Sequence, residues 1–236
     1  MCPATGIPAS ATPAETSGLV LFDLDNTLID RVAAFRVWAS AFVAGRGLGG
    51  EPEVRWLEEA DRDGFAPRPA FFGQVRDRFG LNDAVEDLLD AYGEQYPWCV
   101  TPPPPETFSA LERLRTAGWK VGVVTNGAPT QETKFSAAGL EDALDGWVIS
   151  AVVGARKPDP VIFAAAAEVC GASLTGAWVV GDSPEVDIAG AANCGLRSIW
   201  IRRGRDWSTS EYRPDATVDS IPEAVAHIVA DCEVPA

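Results

Sequence analysis
The chain has 236 residues, 47% hydrophobic and 22% charged, and its 34 acidic residues against 19 lysines and arginines give a net charge of −15. That is ordinary composition for a globular protein, with length for one large domain or a domain carrying an insertion. The acidic excess repels nucleic acid and anionic membranes and so argues against both as partners, and no apolar stretch is long enough to span a bilayer.

Residues 1–17 are rich in Pro, Ala, Thr and Ser, without a basic start or an apolar core. They read as a disordered tail, not a signal peptide. The apolar run Gly18 to Phe22 follows, a buried strand. It ends in Asp23-Leu24-Asp25-Asn26-Thr27, which puts two carboxylates at the carboxyl end of a strand, where open α/β sheets bind ligands. Such a pair can hold a hard cation, and one member can act as a nucleophile. From Arg31 to Val100 no strand is evident. Helical patterns cover Val32–Ala44, Glu53–Ala60, Pro69–Phe79 and Ala84–Gln95, with Phe35, Trp38 and Phe42 at helical spacing as core. The loops Gly45-Arg46-Gly47 and Arg62 to Arg68 combine cations, an aromatic and glycines, which marks Arg46, Arg62, Phe65 and Arg68 as candidates for substrate contact. The stiff segment Pro102 to Pro105 leads back to a strand–helix alternation. Its strands are Lys120–Thr125, Trp147–Ser150, Ala177–Gly181 and Ser198–Ile201. Its helices are Glu106–Ala117, Thr130–Ala138, Asp159–Cys170, Pro184–Cys194 and Pro222–Asp231, the last with Ser220 and Glu223 as capping box. The reading is an α/β fold: a Rossmann-like parallel sheet with helices on both faces, formed by 18–30 and 101–236, plus an inserted α-helical cap over 31–100.

Scarce residue types narrow the chemistry. The single histidine, His227, has no partner motif and reads as structural, which argues against a Ser-His-Asp hydrolase or a histidine metal site. The cysteines Cys2, Cys99, Cys170, Cys194 and Cys232 are odd in number, scattered and without a C-x-x-C pair, as expected of reduced thiols in a cytoplasm. Three more segments lie at or just past strand ends. Thr125-Asn126-Gly127 offers a hydroxyl, an amide and backbone N–H groups to a phosphoryl group. Lys157-Pro158 supplies a compact cation, and Gly181-Asp182-Ser183 with Asp187 supplies carboxylates for a metal. Each alone is also ordinary turn or capping chemistry.

Taken in order, Asp23-x-Asp25-x-Thr27, Thr125-Asn126-Gly127, Lys157-Pro158 and Gly181-Asp182 with Asp187 resemble the four motifs of the haloacid dehalogenase-like (HAD) hydrolases. The resemblance covers almost everything after Ser17 and implies a phosphatase. Asp23 would be the nucleophile and form an aspartyl-phosphate. Asp25 would be general acid and then base, with a pKa raised by nearby carboxylates. Mg²⁺ would be held by Asp23, the Asp25 carbonyl and Asp182, with Asp187 just behind them. Thr125, Asn126, Gly127 and Lys157 would bind the phosphate. The segment from Asn126 to Lys157, with Gln131 and Lys134, is similar to phosphatases of nucleoside monophosphates and acylneuraminate phosphates. The expected substrate is a small phosphorylated metabolite, a nucleoside monophosphate or a sugar-acid phosphate, and the expected state a monomer or homodimer.

Dehalogenation fits less well, because such enzymes lack the second aspartate of the first motif and need no metal. Phosphonoacetaldehyde hydrolysis uses a cap lysine, and 31–100 contains none. A phosphomutase of the same family and a non-catalytic module on the same fold remain open.

Overall fold
The computed structural model describes residues 18–232; the expected tail and Cys2 lie outside it. Strand β1 (Gly18–Phe22) is the apolar run read from the sequence, buried from Leu19 onward. With β2 (Trp119–Thr125), β3 (Gly146–Ile149), β4 (Trp178–Gly181), β5 (Arg197–Ile201) and β6 (Ala216–Val218) it builds an all-parallel sheet in the order β3-β2-β1-β4-β5-β6. The chain leaves β1 to one side for β2 and β3, then crosses to its other side for β4. The crevice at the carboxyl ends of β1 and β4 is therefore the topological switch point.

Alternate residues of β1 serve opposite layers, as a strand's period of two requires. Val20 and Phe22 join Leu111 and Leu114 of α5 (Pro105–Thr116), Phe135 of α6 (Gln131–Ala138) and Ala224, Val225 and Ile228 of α10 (Ile221–Cys232). Leu19 and Leu21 join Ile162, Phe163 and Ala166 of α8 (Pro160–Val169) and Ala191 of α9 (Ala189–Asn193). A short α7 (Ser150–Val153) follows β3 directly, so the expected strand ends at Ile149 and Ser150 opens a helical turn. Strand β6 escapes sequence reading because three residues at a sheet edge, none fully buried, show no alternation. Among the described residues no helix is long and apolar enough to cross a membrane.

Between β1 and α5 the chain forms α1 (Arg31–Gly45), α2 (Glu51–Asp61), α3 (Arg68–Phe79) and α4 (Val85–Gln95), with 3₁₀ turns at Arg62–Gly64 and Tyr96–Cys99. Asp30 caps α1 by accepting from Ala33 N–H. Phe35, Trp38, Phe71, Phe72, Tyr92 and Tyr96 pack edge-on or stacked, with ring centroids 4.7 to 6.4 Å apart. Each such ring contributes roughly 1.5–3 kcal/mol by leaving water.

The expected helix Pro184–Cys194 departs from plan. Residues Pro184–Ile188 form a π turn, in which Asp187 and Ile188 N–H both reach the Ser183 carbonyl and Ala189 N–H reaches Pro184, before α9 begins. The wider turn swings Asp187 back over Gly181, where a Cβ would lie 2.3 Å from its carboxyl carbon.

The sheet sits close enough to α8 to make Gly122 a packing requirement. A Cβ there would lie 2.5 Å from Cys170 Sγ and 2.9 Å from Leu21 Cδ2. Gly122→Ala should therefore cost about 1–3 kcal/mol by overpacking. Urea unfolding checks this, and an unchanged midpoint would mean that α8 yields without strain.

Candidate active site
The carboxyl edge of the sheet gathers the polar residues that the strands leave exposed to one another. Asp23 directly follows β1, its N–H continuing the ladder to the Val180 carbonyl at 2.8 Å. Thr125 ends β2, and Asp182 follows β4. Lys157 reaches in from the loop before α8. Its Nζ lies 2.5 Å from Asp23 Oδ1 and 2.7 Å from Asp187 Oδ1, and it is 2% exposed. Asp187 gives its second oxygen to Ser183 N–H at 3.0 Å.

Oxygens of Asp23, Asp182 and Asp187 lie within 4.8 Å of one another. Burial, and then the charges of Asp187 and Asp182, push Asp23 up to about 8 against the opposing pull of Lys157. Burial and Asp187 likewise push Asp182 up to about 6, although Arg205 and Arg203 oppose. Burial alone would lower Lys157, but Asp187 and Asp23 outweigh it and keep the ammonium firmly charged. Three crowded buried carboxylates with one shared lysine form an all-oxygen donor set that fits a hard divalent cation, which would relieve the repulsion.

Asp25 differs from expectation. Burial raises its pKa, but Lys134, then Arg31, and hydrogen bonds from Lys134 and Gln131 bring it below the usual carboxylate range. Lys134 Nζ contacts both its oxygens at 2.7 and 2.8 Å, and Gln131 Nε2 donates to it at 2.8 Å. The sequence reading supplied carboxylate neighbours here; the structure supplies a lysine. Gln131 and Lys134 are three apart on α6 and share a face, a spacing that could have marked them, since the chain has only three lysines.

The phosphate set also rearranges. Thr125 Oγ accepts from Gln131 Nε2 at 2.8 Å and keeps its own hydrogen to donate. The Asn126 side chain is spent on Lys157, accepting from its N–H at 2.9 Å and donating to its carbonyl at 3.0 Å. Gly127 N–H donates to Ser150 Oγ at 3.0 Å. The Asn126 side chain thus braces the loop that aims Lys157, and the Gly127 N–H is taken by Ser150.

The helical insertion closes over this edge. Asn26 Nδ2 donates to Asp63 Oδ1 at 2.9 Å, and Arg203 bridges Asp63 at 3.1 Å and Asp182 at 3.2 Å. Arg205 adds a contact to Asp182 Oδ2 at 2.9 Å. Arg203 and Arg205 follow β5, a place where cations could have drawn notice. Behind them Asp61, 1% exposed, pairs with Arg31 at 2.8 Å and Arg68 at 2.6 Å. Of the four candidates for substrate contact, Arg68 lies in this cluster. Arg62 and Phe65 are exposed on the neighbouring turn. Arg46 does not belong: it ends α1, roughly 20 Å of helix from Arg31, and pairs with Asp83 at 2.9 Å. Exposed His227 packs edge-on against Trp178, away from this edge.

Residues 18–195 match the family model for haloacid dehalogenase-like hydrolases. The chain belongs to that family and is a hydrolase. It is 36% identical over 206 residues to a phosphoserine phosphatase of Thermus thermophilus, across 82% of this chain and 78% of that protein. It is 32% identical to a glyceraldehyde 3-phosphate phosphatase of Methanopyrus kandleri, across 86% of this chain and 90% of that one. Among solved structures, an HAD phosphatase from Thermococcus onnurineus matches at 27% identity with a TM-score of 0.62, across 89% and 97% of the two chains.

The crowded acids set a pH dependence for the metal-free protein. Asp23 and Asp182 both titrate higher folded than the ordinary 3.8. The folded state therefore holds their protons more tightly, and stability falls as pH rises from about 4 toward 8. In chelator, Asp23→Asn should flatten that fall and raise the thermal midpoint at pH 8. A native midpoint that climbs across the same window would contradict the carboxylate crowding.

Proposed function
We propose that this protein is a Mg²⁺-dependent phosphatase that hydrolyses a small phosphomonoester through an aspartyl-phosphate on Asp23. The observation that carries the reading is Asp23 at the end of the central strand, 2.5 Å from Lys157 and grouped with Asp182 and Asp187. Its relatives named as phosphatases support the reaction class.

A carboxylate oxygen of Asp23 attacks phosphorus and the ester P–O bond breaks. Lys157 and the Thr125 hydroxyl steady the phosphoryl oxygens, where charge spreads in the transition state. Asp23, Asp182 and the Asp25 carbonyl, with Asp187 behind, would hold Mg²⁺, which would supply positive charge to those oxygens. Asp25 starts as an anion paired to Lys134. The arriving phosphate is itself anionic and raises the pKa of Asp25, so Asp25 takes up a proton from solvent while Lys134, whose charge the same anion favours, stays an ammonium 2.7 Å away. Asp25 passes that proton to the leaving oxygen. In the second step Asp25 takes a proton from water as the water oxygen attacks phosphorus, and the P–O bond to Asp23 breaks to regenerate the carboxylate. The insertion 31–100 acts as a cap. Closed, it excludes water from the first step; opened about the linkers near Asp30 and Pro102–Pro105, it admits substrate and releases product.

Asp23→Asn, or chelator added to the native protein, should abolish phosphate release from p-nitrophenyl phosphate. Full activity in either condition would sink the mechanism. Asp25→Asn should turn over roughly 10²–10⁴-fold more slowly on esters of poor leaving groups. The loss should be clearly smaller on p-nitrophenyl phosphate, whose leaving oxygen needs little protonation. Equal losses on both, with chemistry rate-limiting, would remove Asp25 from the acid role.

A further inference from the structure
The wall next to Asp25 contains donors without acceptors. Tyr96 is 4% exposed, and its hydroxyl is buried with no hydrogen-bond partner among the described residues. A buried unpaired hydroxyl costs about 1–3 kcal/mol, so its persistence asks for a partner that comes and goes. Lys134 Nζ sits 4.9 Å above the Tyr96 ring while touching Asp25, which places this ring beside the proposed acid. Arg31 lies 6.0 Å from the same ring, and Arg68 lies 5.3 Å over Tyr92, which stacks on Tyr96 at 4.7 Å.

Arg68 repeats the pattern. Its Nη1 is 2.6 Å from Asp61 Oδ1, close enough for an ion pair, yet unaligned for a hydrogen bond and without an acceptor. Asp61 is already committed to Arg31 and to Gly64 N–H. One buried carboxylate therefore serves two guanidinium groups. Asp63, half-buried, lies 3.7 Å from Arg31 and is shared with Arg203 and Asn26. Burial holds the Tyr96 hydroxyl well above the usual tyrosine range, so it stays a donor. Two buried donors without hydrogen-bond acceptors, one of them on a guanidinium, match an anionic acceptor such as a planar carboxylate.

We propose that Tyr96 and Arg68 form a subsite that receives a carboxylate on the alcohol part of the substrate. The preferred esters are then phosphorylated hydroxy acids or amino acids. The inference rests on the phosphatase reading and narrows it to a substrate class.

The test uses pairs of esters that differ by the carboxylate: 3-phosphoglycerate against glycerol 3-phosphate, and O-phosphoserine against O-phosphoethanolamine. The native protein should favour the acid of each pair in kcat/KM. Tyr96→Phe and Arg68→Met should each reduce that preference by about tenfold or more, the effect of losing a hydrogen bond to a charged group. Tyr96→Phe removes an oxygen that bonds to nothing, so its thermal midpoint should hold or rise. A structural role, or a trapped water on the hydroxyl, would lower activity on both esters alike and leave the ratio intact. That result, or a native protein indifferent to the carboxylate, would overturn the subsite. Calorimetry on Asp23→Asn protein measures both esters without turnover. Should no ester release phosphate from the native protein, the reaction is wrong, and the calorimetric preference alone decides the subsite.

Discussion
One buried ammonium between two buried aspartates is the contact on which the rest of the site depends. Lys157 makes Asp23 and Asp187 tolerable in the same few ångströms of sheet edge. Removing the lysine from such a set leaves two buried carboxylates uncompensated, which typically costs about 3–5 kcal/mol. Much of the surrounding sequence serves this placement. Asn126 holds the Lys157 backbone from both sides. The π turn brings Asp187 within reach, and Gly181 leaves room for it. Gly190 lets α9 approach, since a Cβ there would meet Phe163 at 2.5 Å and the Pro158 backbone at 3.4 Å. The local rule at each position looks like turn chemistry; together the rules position one nitrogen.

The acids that remain crowded after Lys157 is counted explain why the edge attracts a cation. Asp182 turns to Arg203 and Arg205, and the first of these also holds Asp63 of the insertion. The two ends of the sheet edge are therefore electrostatically distinct. On the Asp182 side three acids lie within 4.8 Å of one another, and of them Arg203 and Arg205 reach only Asp182. On the Asp25 side the cations Lys134, Arg31 and Arg68 gather around Asp25 and Asp61, with Asp63 shared between Arg31 and Arg203. In the proposed mechanism a metal would take the first and an anionic substrate the second, with the phosphoryl position between them.

The sheet was legible because its strands are the simplest pattern a chain can carry: short apolar runs bounded by Gly, Pro and acidic residues. Strand β1 was readable to the residue, and β2 to β5 to within a residue or so. The helical insertion was legible for the same reason, its aromatics recurring on helix faces. What escaped was whatever tertiary distance decides. The pairing of Asp25 with Lys134 joins residues more than a hundred positions apart, and no local pattern announces it. Arg203 sits in no motif, and only the fold, through β5, brings it beside Asp182. Arg46 looked like a ligand because glycines flank it, while helix length carries it away from the edge. The π turn defeated periodicity outright, since one extra residue in a turn shifts every later side chain around the axis.

Burial differs along the seam between insertion and core, and this bears on how the two separate. Arg31 and Asp61 are nearly inaccessible and both belong to the insertion, so their pairing survives any movement between the two layers. The contacts that cross the seam, Asp63 with Asn26 and with Arg203, involve side chains about a third exposed. Exposed pairs of that kind contribute only about 0–1 kcal/mol, because water replaces the partner when they part. Lys134 crosses the seam in another way, from α6 to the face of Tyr96. A cation over an aromatic ring gains more as water leaves, so this contact strengthens as the layers close. The polar contacts across the seam are thus the weak ones, while the insertion's apolar residues join the same buried cluster as those of the core. In the proposed cycle one motion would carry Tyr96 and Arg68 together toward and away from Asp25.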